Sequence, residues 1–183
     1  MKKSMACFAL AAATAWGWFM WHCEHVLAQA AFQPGATYQT CFTPQDDCES
    51  MIVGAIGAAQ QQILVQAYSF TSRRIAAALV SAKQRGLDVA VLLDDGQRTD
   101  RYSQASTLRK ANIPILVDDG TSNGHAHSKV MVLDNAVLTG SYNFSASAQR
   151  RNNENIILIK GDDRLTAQFT ANWKARREVS RPY

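Results

Sequence analysis

The sequence is short of histidine, short of cysteine and free of repeats. It holds four residues of each kind in 183. No internal period, no low-complexity tract and, after residue 36, no Pro/Gly-rich linker interrupts it. That excludes a repeat array and marks no boundary between domains; 183 residues suit one core better than two. Charged residues are also few, 19% against 47% hydrophobic, which excludes a disordered chain. Near Cys41 and Cys48 there is neither a histidine nor a second cysteine pair, which argues against a zinc site there. The formal net charge of +4 is a modest excess that suits an anionic partner, nucleic acid or an acidic membrane surface.

What is present begins with an N-terminal address. Lys2 and Lys3 precede an uncharged stretch from Ser4 to Cys23, rich in Ala, Trp, Phe and Met, and Ala28-Gln29-Ala30 offers a small-x-small cleavage site. This pattern predicts a signal peptide over residues 1–30 and a single mature domain over 31–183. An uncleaved anchor is the alternative, since about 20 uncharged residues can span a bilayer. Export places the product in the periplasm or outside the cell. Cys41 and Cys48 are then the two cysteines left, and an oxidising compartment joins them in a local disulfide.

From residue 38 onward, strand and helix signals alternate. Strands are expected at Tyr38–Phe42, Gln62–Phe70, Asp88–Leu93, Ile113–Val117, His127–Leu133, Ala136–Thr139 and Glu154–Lys160. Helices are expected at Glu49–Gln61, after Thr71 or Ser72 up to Gly86, at Tyr102–Ala111, and at Asp162–Arg177 with Leu165, Phe169 and Trp173 inward. Such alternation predicts an α/β layered domain. The later strands follow too closely for helical crossovers, so the sheet is expected to be mixed, with helices flanking it.

The chemistry concentrates late in the chain. Downstream of the leader only His125 and His127 remain, so imidazole chemistry uses one of them. His127 and Lys129 are two apart in a predicted strand, hence on one face. An imidazole beside a fixed positive charge suits attack on a phosphodiester, with nitrogen as nucleophile and the ammonium neutralising the non-bridging oxygens. Gly140 lets backbone approach a ligand closely. Ser141 and Asn143, again two apart, offer a hydroxyl and an amide to phosphate oxygens. Glu154, set among Asn152, Asn153 and Asn155, is the carboxylate expected to hold the His127 ring and its tautomer.

His127-Ser128-Lys129, four residues, Asp134, then Gly140-Ser141-Tyr142-Asn143 resembles the HKD signature of the phospholipase D superfamily. Ala67-Tyr68-Ser69-Phe70-Thr71, Lys83-Gln84-Arg85-Gly86 and Asn153-Glu154-Asn155 resemble its short, plasmid-type bacterial endonucleases, and the likeness runs from about Glu49 to the C-terminus. It implies a phospholipase D-like fold with a catalytic set of His127, Lys129, Asp134 and Glu154. Ser141 and Asn143 would bind substrate. It also implies a two-step reaction through a phosphohistidine, needing no metal or other cofactor. Family sites use two such motifs, and this chain has one, so a twofold homodimer sharing its active site is implied. Asp134 falls on the opposite strand face from His127, which assigns it a hydrogen-bonding, structural part. One departure stands out: the family usually has six residues between this Asp and the Gly, and here there are five, Asn135 to Thr139. A tighter turn at Asp134-Asn135 is expected to absorb the loss.

Several residues have blander readings. His125 reads as a residue at the mouth of the site or a solvated loop residue, not a catalyst. Asp94-Asp95 and Asp118-Asp119 each follow an apolar run and read as strand-end carboxylates, not a metal site. Among the basic residues, Arg150 and Arg151 are the best placed in sequence to track a nucleic-acid backbone. Three functions compete: a nuclease on DNA or RNA, a phospholipase D acting on lipid headgroups, and an inactive phosphate- or nucleic-acid-binding module of a plasmid or secretion system.

Overall fold

Eight strands form one sheet in the computed structural model, in the order β1-β7-β6-β5-β2-β3-β4-β8. The structure describes residues 29–120 and 124–183. The expected leader and its alternative as an anchor fall, but for residues 29 and 30, outside the described residues. Residues 32–183 form one compact unit. No helix among the described residues is long and apolar enough to cross a membrane.

The strands are β1 (Thr37–Phe42), β2 (Gln62–Ala67), β3 (Asp88–Asp94), β4 (Ile115–Asp118), β5 (Lys129–Leu133), β6 (Ala136–Gly140), β7 (Asn155–Lys160) and the short β8 (Arg181–Pro182). The helices are α1 (Cys48–Ala58), α2 (Arg73–Gln84), α3 (Ala105–Lys110), α4 (Ala146–Arg150) and α5 (Asp163–Val179). β2, β3 and β4 run parallel, joined through α2 and α3. β5, β6, β7 and β1 add on antiparallel. The sheet is therefore mixed, as the spacing of the strand signals predicts.

Strand alternation builds two cores. Ile63, Val65 and Ala67 face one side, with Val89, Val91, Leu93, Met131 and Leu133, beneath α1, α2 and α3. Leu64, Leu92, Val130 and Val132 face the other, where α5 lays Trp173 on them. The Trp173 indole N–H donates to the Val65 carbonyl at 3.0 Å, so the buried ring leaves no polar group unpaired. Phe169 packs at the margin of this second core, and Leu165 is only half-buried.

Capping residues set the helix starts. The Asp47 carboxylate accepts from Ser50 N–H at 3.0 Å at the head of α1, and Ser72 Oγ accepts from Ile75 N–H at 3.1 Å at the head of α2. Cys41 of β1 and Cys48 at the first turn of α1 are joined in a disulfide. Ends shift by a few residues from the sequence reading. β2 stops at Ala67, and Phe70 makes only an isolated bridge to Phe144; α3 starts at Ala105. β5 begins at Lys129, so His127 belongs to the loop before it. β8, which closes the edge of β4, had no signal of its own, because Arg181-Pro182 is too short to show a period.

Candidate active site

Two clamps mount the loop that carries His127. On one side Arg176 of α5 grips the Asp118 carboxylate with Nε at 2.8 Å and also donates to the Gly120 carbonyl at 2.8 Å. Burial works to raise the Asp118 carboxyl, but the guanidinium and the Gly120 N–H outweigh it and hold it below the usual carboxylate range. On the other side the buried Asp94 carboxylate, at the end of β3, accepts from Ala126 N–H at 2.9 Å and lies 3.6 Å from His125 Nδ1. Asp94 and Asp118 are thus strand-end carboxylates, and the exposed His125 sits at the mouth of the site. Among the described residues no three His, Cys, Asp or Glu side chains gather as metal ligands do.

His127 and Lys129 meet although only Lys129 is in a strand. Lys129 Nζ lies 2.9 Å from His127 Nδ1 and donates to the His127 carbonyl at 2.6 Å. Tyr68, just past β2, donates its N–H to the Ser128 carbonyl at 3.1 Å and extends the β2–β5 ladder by one step. Its ring stands 4.2 Å from the His127 ring, with Lys129 Nζ 4.8 Å from its centroid. Lys129 is 7% exposed. Burial pulls its ammonium below the usual lysine range, against the opposing pull of Glu154 and Asp94. An ammonium that donates to Nδ1 requires the proton of a neutral ring to be on Nε2.

Gly140 follows β6's register to the same end of the sheet. Val130 pairs with Thr139, so Lys129 faces Gly140 one step further on. A Cβ at Gly140 would run into the Asn155 carbonyl of β7, so the missing side chain admits a neighbouring strand where the sequence reading placed a ligand. Ser141 Oγ donates to Glu154 Oε2 at 2.6 Å and accepts from Asn155 N–H at 3.0 Å. Asn152 Nδ2 donates to Glu154 Oε1 at 2.7 Å. Within this chain the Glu154 carboxylate oxygens accept from Ser141 and Asn152, in place of the expected bond to His127. Asn143 Oδ1 is buried and accepts no hydrogen bond. From Asn143 a groove opens, bordered by Ser69, Thr71, Tyr102, Ser145 and Asn152.

Asp134 does not join this group. It lies at the far end of β5, about 16 Å from Lys129 by strand rise. Its carboxylate accepts from the backbone N–H groups of Gln60, Gln61 and Gln62 at 2.7, 2.9 and 2.9 Å. Placing it among the catalytic residues is corrected on that ground: it ties the β5–β6 turn to the start of β2. Leu133 pairs directly with Ala136, so Asp134-Asn135 is the whole turn, with Asp134 at φ 51. This two-residue turn absorbs the five-residue spacing and leaves Ser141 beside Glu154. Tyr68, Asp94 and the Asp118–Arg176 clamp were not singled out as site residues by sequence reasoning. The only signal for Tyr68 was its place in Ala67–Thr71. Arg150 and Arg151 are exposed, whereas Arg74 is spent on Glu49 at 2.9 Å.

Residues 52–176 match the family model described as cardiolipin synthase, PLD-like domain. The chain belongs to the phospholipase D-like family. It is 40% identical over 142 residues to a phospholipase D of Rickettsia prowazekii, covering 77% of this chain and 68% of that one. To the mitochondrial cardiolipin hydrolase of Mus musculus it is 30% identical over 141 residues, covering 75% of this chain and 63% of that one. Among solved structures it resembles Nuc of Salmonella typhimurium, a phospholipase D family member. The TM-score there is 0.75 at 35% identity, covering 81% of this chain and 98% of that chain. NucT of Helicobacter pylori shares the fold at a TM-score of 0.75 and 23% identity. The chain is accordingly a phosphodiesterase of this superfamily, and its exposed imidazole and sheltered ammonium form the part of the site equipped for a phosphodiester.

Proposed function

We propose that the protein is an exported endonuclease that hydrolyses DNA or RNA as a twofold homodimer, through a phosphohistidine and without a metal. The observation that carries the substrate class is the groove leading from Asn143. Its walls are mostly hydroxyls and amides, Ser69, Thr71, Ser145, Ser147 and Asn152, with one carboxylate, Asp100, and such polar walls suit a sugar-phosphate backbone better than acyl chains. The homodimer rests on chemistry. A nucleophile and a leaving-group acid require two imidazoles, and His127 is the one placed against Lys129.

An incoming phosphate oxygen draws the Lys129 ammonium off His127 Nδ1. The ring proton can then move to Nδ1 and free the Nε2 lone pair. Nε2 attacks phosphorus, the phosphorus–oxygen bond to the leaving group breaks, and the partner subunit's His127, entering as the imidazolium, gives that oxygen a proton and is left neutral. Water then attacks the phosphohistidine, giving its proton to the partner subunit's His127 and restoring both rings. Lys129, with Ser141 and Asn143 nearby, would hold the non-bridging oxygens. Export is supported by the Cys41–Cys48 disulfide, a bond that persists in oxidising compartments.

Phospholipid cleavage is the second reading, supported by the names of the Rickettsia and mouse relatives. The test is hydrolysis of plasmid DNA, RNA and a choline phospholipid in excess EDTA, beside His127→Ala. Nucleic-acid cleavage that survives EDTA and vanishes in the variant is expected; lipid cleavage alone gives the second reading. Co-refolding wild type with His127→Ala tests the shared site. Activity should follow the square of the wild-type fraction, and a linear dependence would mean that each chain works alone.

A further inference from the structure

We infer that Tyr102, with Arg101 laid over it, is a base-stacking platform, and that the substrate is a single strand whose bases are open to it. This rests on the nuclease reading and narrows it.

Among the described residues five large apolar side chains are exposed: Phe32, Tyr38, Phe42, Tyr102 and Val179. A scattered exposed apolar residue is ordinary and signifies nothing by itself. Phe32, Tyr38 and Phe42 precede or lie in the edge strand β1, and Val179 ends α5. Tyr102 alone of the five borders the groove that starts at Asn143. Tyr102 is 60% exposed even with Arg101 over one face of its ring.

The mount of this ring is fixed. Tyr102 N–H donates to Asp100 Oδ1 at 2.8 Å, and its carbonyl accepts from Gln104 Nε2 at 3.1 Å. Gln104 N–H donates to the Phe70 carbonyl at 2.9 Å. Phe70 is fully buried against Phe144 and stands two residues beyond Tyr68, the residue whose ring meets His127. The loop bearing Tyr102 is therefore tied to the segment that leaves the catalytic imidazole. Asp100, the acidic residue of the groove, has a carboxylate oxygen committed to the Tyr102 N–H.

Arg101 completes the arrangement. Its guanidinium carbon lies 4.6 Å from the Tyr102 ring centroid, a cation–π contact. An aromatic face beside a guanidinium answers a base with its phosphate: the ring takes the π-face, and the cation takes the charge. The hydroxyl and amide walls between this platform and Asn143 can hold the sugar-phosphate chain. A base inside a duplex has both faces covered by its neighbours, and a lipid headgroup has no π-face. A single strand meets both requirements.

The test uses His127→Ala protein to stop turnover and fluorescence anisotropy to read binding. The probes are a labelled oligothymidylate, an abasic strand of equal length and a duplex. Tyr102→Ala and Tyr102→Leu should each weaken oligothymidylate binding fivefold or more, the factor a single base–aromatic stack supplies at the low end. Tyr102→Phe should stay within about twofold, since it keeps the π-face. Binding of the abasic strand should not change, and the parent should prefer the single strand to the duplex. Unchanged oligothymidylate affinity in Tyr102→Leu, which keeps apolar bulk without a π-face, would overturn the platform. Wild-type protein that cleaves phospholipid and no nucleic acid would overturn the nuclease reading itself, and the platform with it.

Discussion

Replacing Asp134 by Asn and by Ala separates a structural from a chemical part for the third letter of the motif. The carboxylate accepts from three consecutive backbone N–H groups, those of Gln60, Gln61 and Gln62. A bond to a charged group contributes roughly 1.5–3 kcal/mol when sheltered. The first two donors are exposed, so water replaces the carboxylate there at little loss, and a total of about 2–3 kcal/mol follows. Ala adds about 1 kcal/mol, because residue 134 has φ 51 and only Gly, Asn and Asp visit that region easily. Asp134→Ala should therefore destabilise by about 3–4 kcal/mol, and Asp134→Asn, which keeps one acceptor oxygen and the backbone preference, by about 1–2 kcal/mol. At roughly 2–4 °C per kcal/mol for a chain of this size, the Ala variant should melt around 10 °C lower.

The pH dependence has a definite sign. Burial acts to raise the Asp134 carboxyl, but the three backbone donors outweigh it and hold it below the usual range. A depressed carboxyl stabilises the fold above its unfolded value of about 4 and loses that effect as pH falls through the folded value. Urea unfolding should therefore show the full gap between wild type and Asp134→Asn at pH 7 and a closing gap below about pH 4. Phosphodiesterase activity measured well below the melting point should survive within a few-fold. An Asp134→Asn protein with wild-type stability and no turnover would refute the structural account and return Asp134 to the chemistry.

Two further variants test the frame of the site. Gly140→Ala drives a Cβ into the Asn155 carbonyl of a paired strand, which has no room to yield; a loss of roughly 3 kcal/mol is expected. Ser141 and Glu154 flank the strained contact, so thermal unfolding and kcat should fall together, and a fully active, equally stable variant would show that β6 and β7 can part there. Removing the Cys41–Cys48 bridge as a double serine variant opens a short loop. Chain entropy puts the loss near 2.5 kcal/mol, read as a lower urea midpoint with His127 chemistry unchanged in protein that remains folded.

Legibility in the sequence followed the range of the interactions involved. Strands such as β2 and β5 were readable because a short apolar run between turn signals is a local property, and Ser72 announced α2 because a cap acts within four residues. His127 and Lys129 were readable as neighbours for a reason that proved partly wrong. They meet through a side chain reaching back to a loop, not through a shared strand face, since the strand starts at Lys129. What stayed hidden depends on elements distant in the chain. The Asp118–Arg176 clamp spans 58 residues and the Asp94–Ala126 bond 32, and no spacing rule couples them. The partners of Glu154 differ from the expected one because His127 has nearer competitors for the carboxylate: the Asn152 amide two residues away, and the Ser141 hydroxyl that the β6–β7 pairing brings alongside. That competition bears on mechanism. In the proposed mechanism an ammonium donating to Nδ1 leaves the ring's proton on Nε2, so the phosphate that draws Lys129 away is also what frees the nucleophile.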